Sequence, residues 1–185
     1  MTEAAAASGD KRRRVPSRRM KRLLYLLPLI LIACDGAVDR QALCPEFFEP
    51  YPDMISGQAR SSRNAEYLDA MALYSQGDHA EAAKGLQAFV SAHRDAPRSA
   101  LLYLAMSQLA TGNPYDAELT LDKLEQSHMR DFSDQCEWYT VLCWLCSEQW
   151  DRALTGAQAI ATAQRHTYKQ QAARLAERLE RAVKE

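Results

Sequence analysis

The segment YLDAMALYSQGD at residues 67–78 is echoed by LYLAMSQLATGN at residues 102–113 and, more loosely, by WYTVLCWLCSEQ at residues 138–149. Gly77, Gly112 and Glu148 fall in the same register of these segments, at spacings of 35 and 36 residues. A repeat of this length is typical of folds in which one supersecondary unit is stacked several times. The sequence therefore predicts three copies of one unit.

Each copy begins with an apolar stripe at helical spacing. Bulky side chains recur at positions i, i+4 and i+7, which lie on one face of an α-helix. They are Tyr67, Met71 and Tyr74; Leu102, Met106 and Leu109; and Trp138, Leu142 and Leu145. A glycine then suits the left-handed turn that ends a helix, although the third copy has Glu148 there. A second helix follows in each copy, with a small residue, Ala82, Ala117 or Ala153, where the paired helices approach closely.

This pattern resembles the tetratricopeptide motif, whose period is 34 residues, over residues 64–165. The resemblance implies an all-α fold, a short right-handed TPR-like solenoid of three helix-turn-helix repeats. Residues 167–184 are expected to close it as an amphipathic helix, with Ala172, Leu175, Leu179 and Val183 facing inward. One departure is a late second-helix position that is usually small in the family. It holds Phe89, Leu124 and Ile160, so local packing is expected to deviate there.

Stacked first helices of such repeats present a groove that recruits peptides or partner proteins. The candidate partner-binding residues are those of the first helices outside the packing stripe. They are Asp69, Leu73, Leu104, Gln108, Thr140 and Trp144. Trp144 is the strongest single candidate, because tryptophan is frequent among interface hot spots. Core packing of Trp144 against the closing helix is the alternative.

Residues 20–34, MKRLLYLLPLILIAC, have the build of an export signal. A basic start precedes a run of about ten apolar residues, about half of what a bilayer core of ~30 Å requires. The ending resembles a bacterial lipobox, which implies cleavage between Ala33 and Cys34 and acyl chains such as palmitate on Cys34. An uncleaved anchor or a buried core helix is the alternative. Because residues 1–19 are unusually long for a basic leader, a start at Met20 is a further hypothesis.

The predicted organisation is a signal peptide at residues 1–33, a lipidated tether at 34–62 and a helical repeat domain at 63–185. The tether carries three prolines without helical period and is expected to be a flexible linker. Its aromatic residues Phe47, Phe48 and Tyr51 are expected to dock onto the folded domain, and exposure for a partner is the alternative. The lipoprotein resemblance implies the periplasmic side of a bacterial cell membrane. By the same resemblance Asp35 weakly favours the inner membrane, and the outer membrane is the alternative.

The net charge of the chain limits which classes of partner are expected. Residues 34–185 contain 15 Lys and Arg against 22 Asp and Glu, a net charge of −7. An acidic body disfavours nucleic acid or anionic lipid as the main partner. The basic residues of the leader have a simpler explanation as the start of a signal peptide.

Four cysteines follow Cys34, and two of them, Cys143 and Cys146, form a C-x-x-C pattern that invites a redox or disulfide interpretation. However, Cys136, Cys143 and Cys146 stand where the other repeats have alanine or serine. We therefore expect these three cysteines to pack as small buried residues. A structural disulfide from Cys44 or Cys136 is the second interpretation, and catalysis is the third.

No catalytic or metal-binding motif is found. The chain has no phosphate-binding glycine loop, no G-x-S-x-G and no H-E-x-x-H, and its histidines, at positions 79, 93, 128 and 166, show no zinc-ligand spacing. We therefore expect no enzyme activity, metal or cofactor. The expected function is that of a membrane-anchored adaptor that helps assemble or stabilise a cell-envelope machine, similar in plan to pilotins and accessory lipoproteins of outer-membrane assembly. The alternatives are a thiol-active or metal-dependent periplasmic factor using Cys136, Cys143 and Cys146, and simple self-association.

Overall fold

The computed structural model describes residues 39–126 and 131–184, and this part of the chain is all-helical, with eight α-helices and no strand. The helices are α1 Arg40–Phe47, α2 Ala65–Ser75, α3 His79–Ala92, α4 Arg98–Ala110, α5 Pro114–Glu125, α6 Ser133–Cys146, α7 Trp150–Thr162 and α8 Lys169–Lys184. Of these helices, none combines the length and the apolar character needed to cross a membrane. The predicted signal peptide, with Ala33, Cys34 and Asp35, lies outside the described residues, as does His128.

Three helical hairpins, α2 with α3, α4 with α5 and α6 with α7, are closed by the same turn. In each turn one residue has a left-handed backbone: Gly77 at φ +81°, Gly112 at φ +76° and Glu148 at φ +61°. The next residue donates its backbone N–H to a carbonyl five positions back in the first helix, the bond of a Schellman cap. These bonds join Asp78 to Leu73 (3.0 Å), Asn113 to Gln108 (2.9 Å) and Gln149 to Trp144 (2.8 Å). The predicted register is confirmed, and Glu148 adopts the conformation that glycine has in the other two turns.

The hydrophobic core follows the predicted stripes. All nine bulky stripe residues are at most 5% exposed, and Ala82, Ala117 and Ala153 are fully buried where the paired helices meet. The late second-helix residues Phe89, Leu124 and Ile160 are buried as well, and Phe89 stacks on Tyr67 with ring centroids 5.2 Å apart. Burial of each such side chain is worth about 1.5–3 kcal/mol. From α2 to α8, successive helices pack against each other in chain order, and α4 also contacts α2 and α6.

Helix α8 packs against α7 at the end of the series. Ala172, Leu175 and Leu179 are buried as predicted, whereas the side chain of Val183 lies outside the described ones. The loop before α8 contributes Tyr168, whose ring stacks on Trp138 at a centroid distance of 5.6 Å. The closing helix therefore covers the third hairpin.

The segment expected to be a flexible tether contains a helix that is docked on the domain. Helix α1 packs against α6 and α8, and its Leu43 is fully buried. Arg40 donates to the carbonyl of Ala182, and Arg178 forms a 2.6 Å ion pair with Glu46. An eight-residue helix is not stable alone, so α1 is stabilised by its tertiary contacts. Pro45 within the helix is a residue that disfavours a helix prediction from the sequence.

Candidate functional site

Residues 48–54, here called the strap, continue from α1 without regular secondary structure and are bound by three tyrosines from the three first helices. The hydroxyl of Tyr139 in α6 donates to the Glu49 carbonyl at 2.9 Å, and that of Tyr74 in α2 donates to the Tyr51 carbonyl at 2.6 Å. In α4, Tyr103 has two bonds to the strap. Its hydroxyl donates to the Pro52 carbonyl and accepts from the Met54 N–H, both at 3.0 Å.

These tyrosines define what we call the first-helix face. Every one of their hydrogen bonds to the strap joins a tyrosine hydroxyl to a main-chain group, so these bonds do not depend on which side chains the strap carries. Burial raises the pKa of Tyr103 to about 12 and raises the pKa values of Tyr74 and Tyr139 as well. The hydroxyls therefore remain protonated donors at any physiological pH. Because the strap occupies this face, a partner cannot use it in the same conformation.

The aromatic side chains near the strap pack against the core, as expected for Phe47, Phe48 and Tyr51. The ring of Tyr51 lies 6.1 Å from that of Tyr103 and 6.4 Å, edge on, from that of Phe132. Aromatic pairs in these arrangements contribute about 0.5–1.5 kcal/mol beyond burial of their area. The strap is thus bound by apolar contacts as well as by the tyrosine hydroxyls.

A disulfide joins Cys44 of α1 to Cys146 of α6, with Cα atoms 4.9 Å apart and a sequence separation of 102 residues. The expectation that Cys146 packs as a free small core residue is wrong, and the second interpretation, a disulfide from Cys44, is confirmed. Cys146 follows Tyr139 by two helical turns and so lies on the same side of α6 as α1 and the strap. The repeat alignment identifies a position for a small residue there but says nothing of what lies across from it.

Cys136 and Cys143 are free and buried, as the repeat alignment predicted. Burial, with a smaller effect of the nearby Glu125, raises the pKa of Cys136 to about 11. Burial also raises the pKa of Cys143, with smaller effects of Glu118 and Asp122. Since the thiolate is the nucleophile and metal ligand, both cysteines are poorly suited to thiol chemistry. Within the described ranges, no three His, Cys, Asp or Glu residues are arranged to hold a metal ion.

The four candidate partner-binding residues of α2 and α4 are engaged within the fold. Asp69 is exposed but forms a 2.6 Å ion pair with Arg60. Leu73 is half-buried against the core, and Leu104 is only 2% exposed, so it is inaccessible to a partner. The carbonyl oxygen of Gln108 accepts the hydroxyl of Thr120 in α5 at 2.8 Å. Of these four residues only Asp69 is exposed, and its carboxylate is paired with Arg60.

Thr140 and Trp144 do line one hollow, here called the α6 pocket, which has a volume of about 370 Å³ and lies between α5, α6 and α7. The indole N–H of Trp144 donates to the Glu118 carboxylate at 2.7 Å. The guanidinium carbon of Arg152 lies 4.4 Å from the centroid of the Trp144 ring, and an Arg152 nitrogen lies 3.3 Å from the same Glu118 oxygen. Trp144 is therefore partly buried, but α5 and α7, rather than the closing helix, supply these partners.

Gly156 of α7 allows the tryptophan to lie where it does. A Cβ atom at this position would be 2.6 Å from Val141 Cγ2 and 2.9 Å from Trp144 Cζ3, distances that real Cβ atoms do not show. A glycine inside a helical pattern costs about 1 kcal/mol and often has a packing reason, so this signal could have been used. The roles of Glu118 and Arg152, by contrast, have no local sequence signature, since both are ordinary charged residues on helices.

Comparison with known proteins adds no relative. The chain matches no protein-family model, no curated protein and no solved structure. The resemblance to tetratricopeptide repeats and to lipoproteins accordingly rests on the residues of this chain alone.

Proposed function

We propose that this chain is a lipid-anchored, periplasm-facing adaptor whose three helical hairpins are tetratricopeptide-like repeats in a short right-handed solenoid. The observation that carries the proposal is the Cys44–Cys146 disulfide. Structural disulfides persist in oxidising compartments and are rare in the cytosol. The disulfide thus supports export of this chain independently of the lipobox-like ending at Cys34.

The adaptor role is supported by the distribution of free and occupied surfaces. The first-helix face is filled by the strap, which the disulfide ties down through α1. The α6 pocket, bounded by two second helices, is open to solvent and contains an accessible tryptophan. The partner in this proposal is a protein of the cell envelope, in a secretion, pilus or outer-membrane assembly, and it binds on the side of α5 and α7.

Substitution of Cys34 tests the anchor. Cys34→Ser should abolish labelling with radioactive palmitate and release the protein from the membrane fraction. The fold should be retained, because the disulfide uses Cys44 and Cys146 instead. Cys136→Ala is the matched control, since Ala65 and Ala100 occupy the equivalent positions, and it should keep both label and membrane association. Palmitate label or full membrane retention in Cys34→Ser would contradict the proposal.

Chemical crosslinking in membranes, followed by purification of the chain, tests the adaptor role. The expected result is a distinct envelope protein crosslinked to residues near α5 or α7. Recovery of homo-oligomers alone would favour self-association and count against the adaptor.

The thiol-active alternative predicts the opposite behaviour of the buried cysteines. At pH 8 a thiol with a pKa of about 11, like that of Cys136, has roughly one thiolate in a thousand molecules. We therefore expect neither Cys136 nor Cys143 to react with Ellman's reagent until the protein is unfolded. Reaction of either thiol in the folded protein at the rate of a free cysteine would favour the alternative.

A further inference from the structure

We propose that the α6 pocket binds an arginine side chain presented by the partner protein. The inference rests on the proposed function only in taking the ligand to be part of a protein. The pocket has an excess of negative charge and an aromatic wall. It also contains the contact of Arg152 with Trp144 and Glu118, which has the chemistry of the proposed complex.

The charge of the pocket is strongly unbalanced. Its lining contains four carboxylates, from Glu118, Asp122, Glu125 and Glu137, against the single guanidinium of Arg152. The negative potential extends into the core. Burial is the main cause of the raised pKa of the Cys143 thiol, and the carboxylates of Glu118 and Asp122 raise it further. A cation entering the pocket is therefore attracted before it makes any contact.

The electrostatic potential is also negative at the other end of the pocket, near Cys136. Burial is the main cause of the raised pKa of Cys136. The charges of Glu125 and Glu137 raise this pKa further, and the charge of Arg98 lowers it. Arg98 donates to the carbonyl of Leu124 in α5, so its charge is fixed at that end. The complementary charge for the pocket as a whole is still positive, because four carboxylates face it.

Arg152 shows which cation fits. Its guanidinium lies over the ring of Trp144 while it pairs with Glu118, and that carboxylate also accepts the indole N–H. The Glu118 side chain is only 19% exposed, whereas that of Arg152 is 55% exposed. The anion and the indole are thus held in the fold, and the cation is the exchangeable member. An incoming guanidinium can take the place of Arg152 on Trp144 and bond to Glu118 and Asp122.

Arginine suits this site better than lysine does. A planar guanidinium stacks on an indole and donates in a fork to carboxylates, whereas an ammonium is a compact and strongly hydrated point charge. An adjoining hollow shares Trp144, Arg152, Gly156 and Ala159 with the α6 pocket and has room for the aliphatic part of the side chain. A volume of about 370 Å³ is at the small end of ligand pockets, as a single side chain requires.

The test is a titration of the full chain in neutral detergent with N-acetyl-arginine amide, followed by NMR of ¹⁵N-labelled tryptophan. The indole N–H of Trp144 reports directly, because it donates to Glu118. Trp144→Phe identifies its signal, and the buried Trp138 serves as the internal reference. We expect a saturable shift confined to Trp144, with a Kd on the order of millimolar for so small a ligand. N-acetyl-citrulline amide, the neutral isostere, should give none.

Two variants decide whether the geometry is right. Glu118→Gln should weaken binding of the arginine amide about tenfold, because one charge-assisted pair is lost. Arg152→Ala should strengthen it about fivefold, because the internal competitor is removed. Arg165→Ala, at an exposed arginine outside the pocket, is the matched control and should change nothing.

The proposal is overturned if citrulline amide gives the same curve, if no saturable shift of Trp144 occurs, or if Arg152→Ala weakens binding. Each of these results leaves the Cys34→Ser experiment unaffected. Conversely, membrane retention of Cys34→Ser would remove the anchor but not the pocket, so the two failures are distinguishable.

Discussion

Replacing both cysteines of the disulfide, as Cys44→Ala with Cys146→Ala, should lower the free energy of unfolding by about 2–4 kcal/mol, the usual range for a native disulfide. The chain-entropy relation gives an upper figure of about 4.7 kcal/mol for a bridge over 102 residues. The measured loss should be smaller, because the relation treats the unfolded chain as a random coil, whereas real denatured states retain residual structure.

The alanine at position 146 adds little to this loss, since Ala110 occupies the equivalent position of the second repeat. The effect can therefore be attributed to the missing crosslink. For a domain of this size, a loss of about 3 kcal/mol corresponds to a fall in Tm of roughly 6–12 °C.

The assay is urea denaturation followed by far-ultraviolet circular dichroism, with and without dithiothreitol. Reduction should destabilise the native chain by about as much as the double substitution does, and it should leave the double variant unchanged. A loss below about 1 kcal/mol, or an equal effect of reductant on the double variant, would refute the assignment of this stability to the Cys44–Cys146 crosslink.

Three further substitutions probe the turn, the helix contact and the strap. Glu148→Gly should stabilise the protein by about 0.5–1 kcal/mol, because an L residue with a left-handed backbone costs roughly 1–2 kcal/mol and glycine loses part of that gain in the unfolded chain; thermal unfolding measures this, and a lower Tm would contradict it. Gly156→Ala should cost about 1–3 kcal/mol through overpacking, whereas Gly57→Ala, with open space around it, should cost little; equal losses in urea denaturation would disprove the contact. Tyr103→Phe removes two hydrogen bonds to the strap, so it should lower the free energy of unfolding by about 1–2 kcal/mol and speed amide hydrogen exchange in the strap. The exposed Tyr115→Phe is the neutral control, and unchanged exchange in Tyr103→Phe would argue against the role of Tyr103.

The repeated part of the fold could be predicted because its information is local and occurs three times. The stripe of Leu102, Met106 and Leu109 specifies one buried helix face, and the same spacing in the other copies confirms the register. Even Glu148 could be aligned with the turn glycines, since its position, rather than its residue type, is repeated.

The strap and the disulfide could not be predicted, because they depend on contacts between segments far apart in sequence. Nothing in the residues around Cys44 indicates that Cys146 lies opposite, and the prolines around Tyr51 favour a linker in the absence of a surface that binds it. The α6 pocket could be predicted only in part from the sequence. Trp144 has a sequence signature as a large aromatic, but the carboxylate of Glu118 meets it only after α5 and α6 have packed.

The docking of α1 would limit how far the domain could lie from a lipid on Cys34. If Cys34 carries lipid as proposed, only five residues lie between it and Arg40, which is fixed to the domain by its bond to Ala182. The six steps from Cys34 to Arg40 span at most about 22 Å even when the chain is fully extended. The domain would then move in a thin layer along the bilayer rather than sweep the periplasm. Confinement in such a layer raises the effective concentration of partners that are themselves membrane-bound, so even a weak, single-arginine contact gains occupancy there that it would lack in free solution.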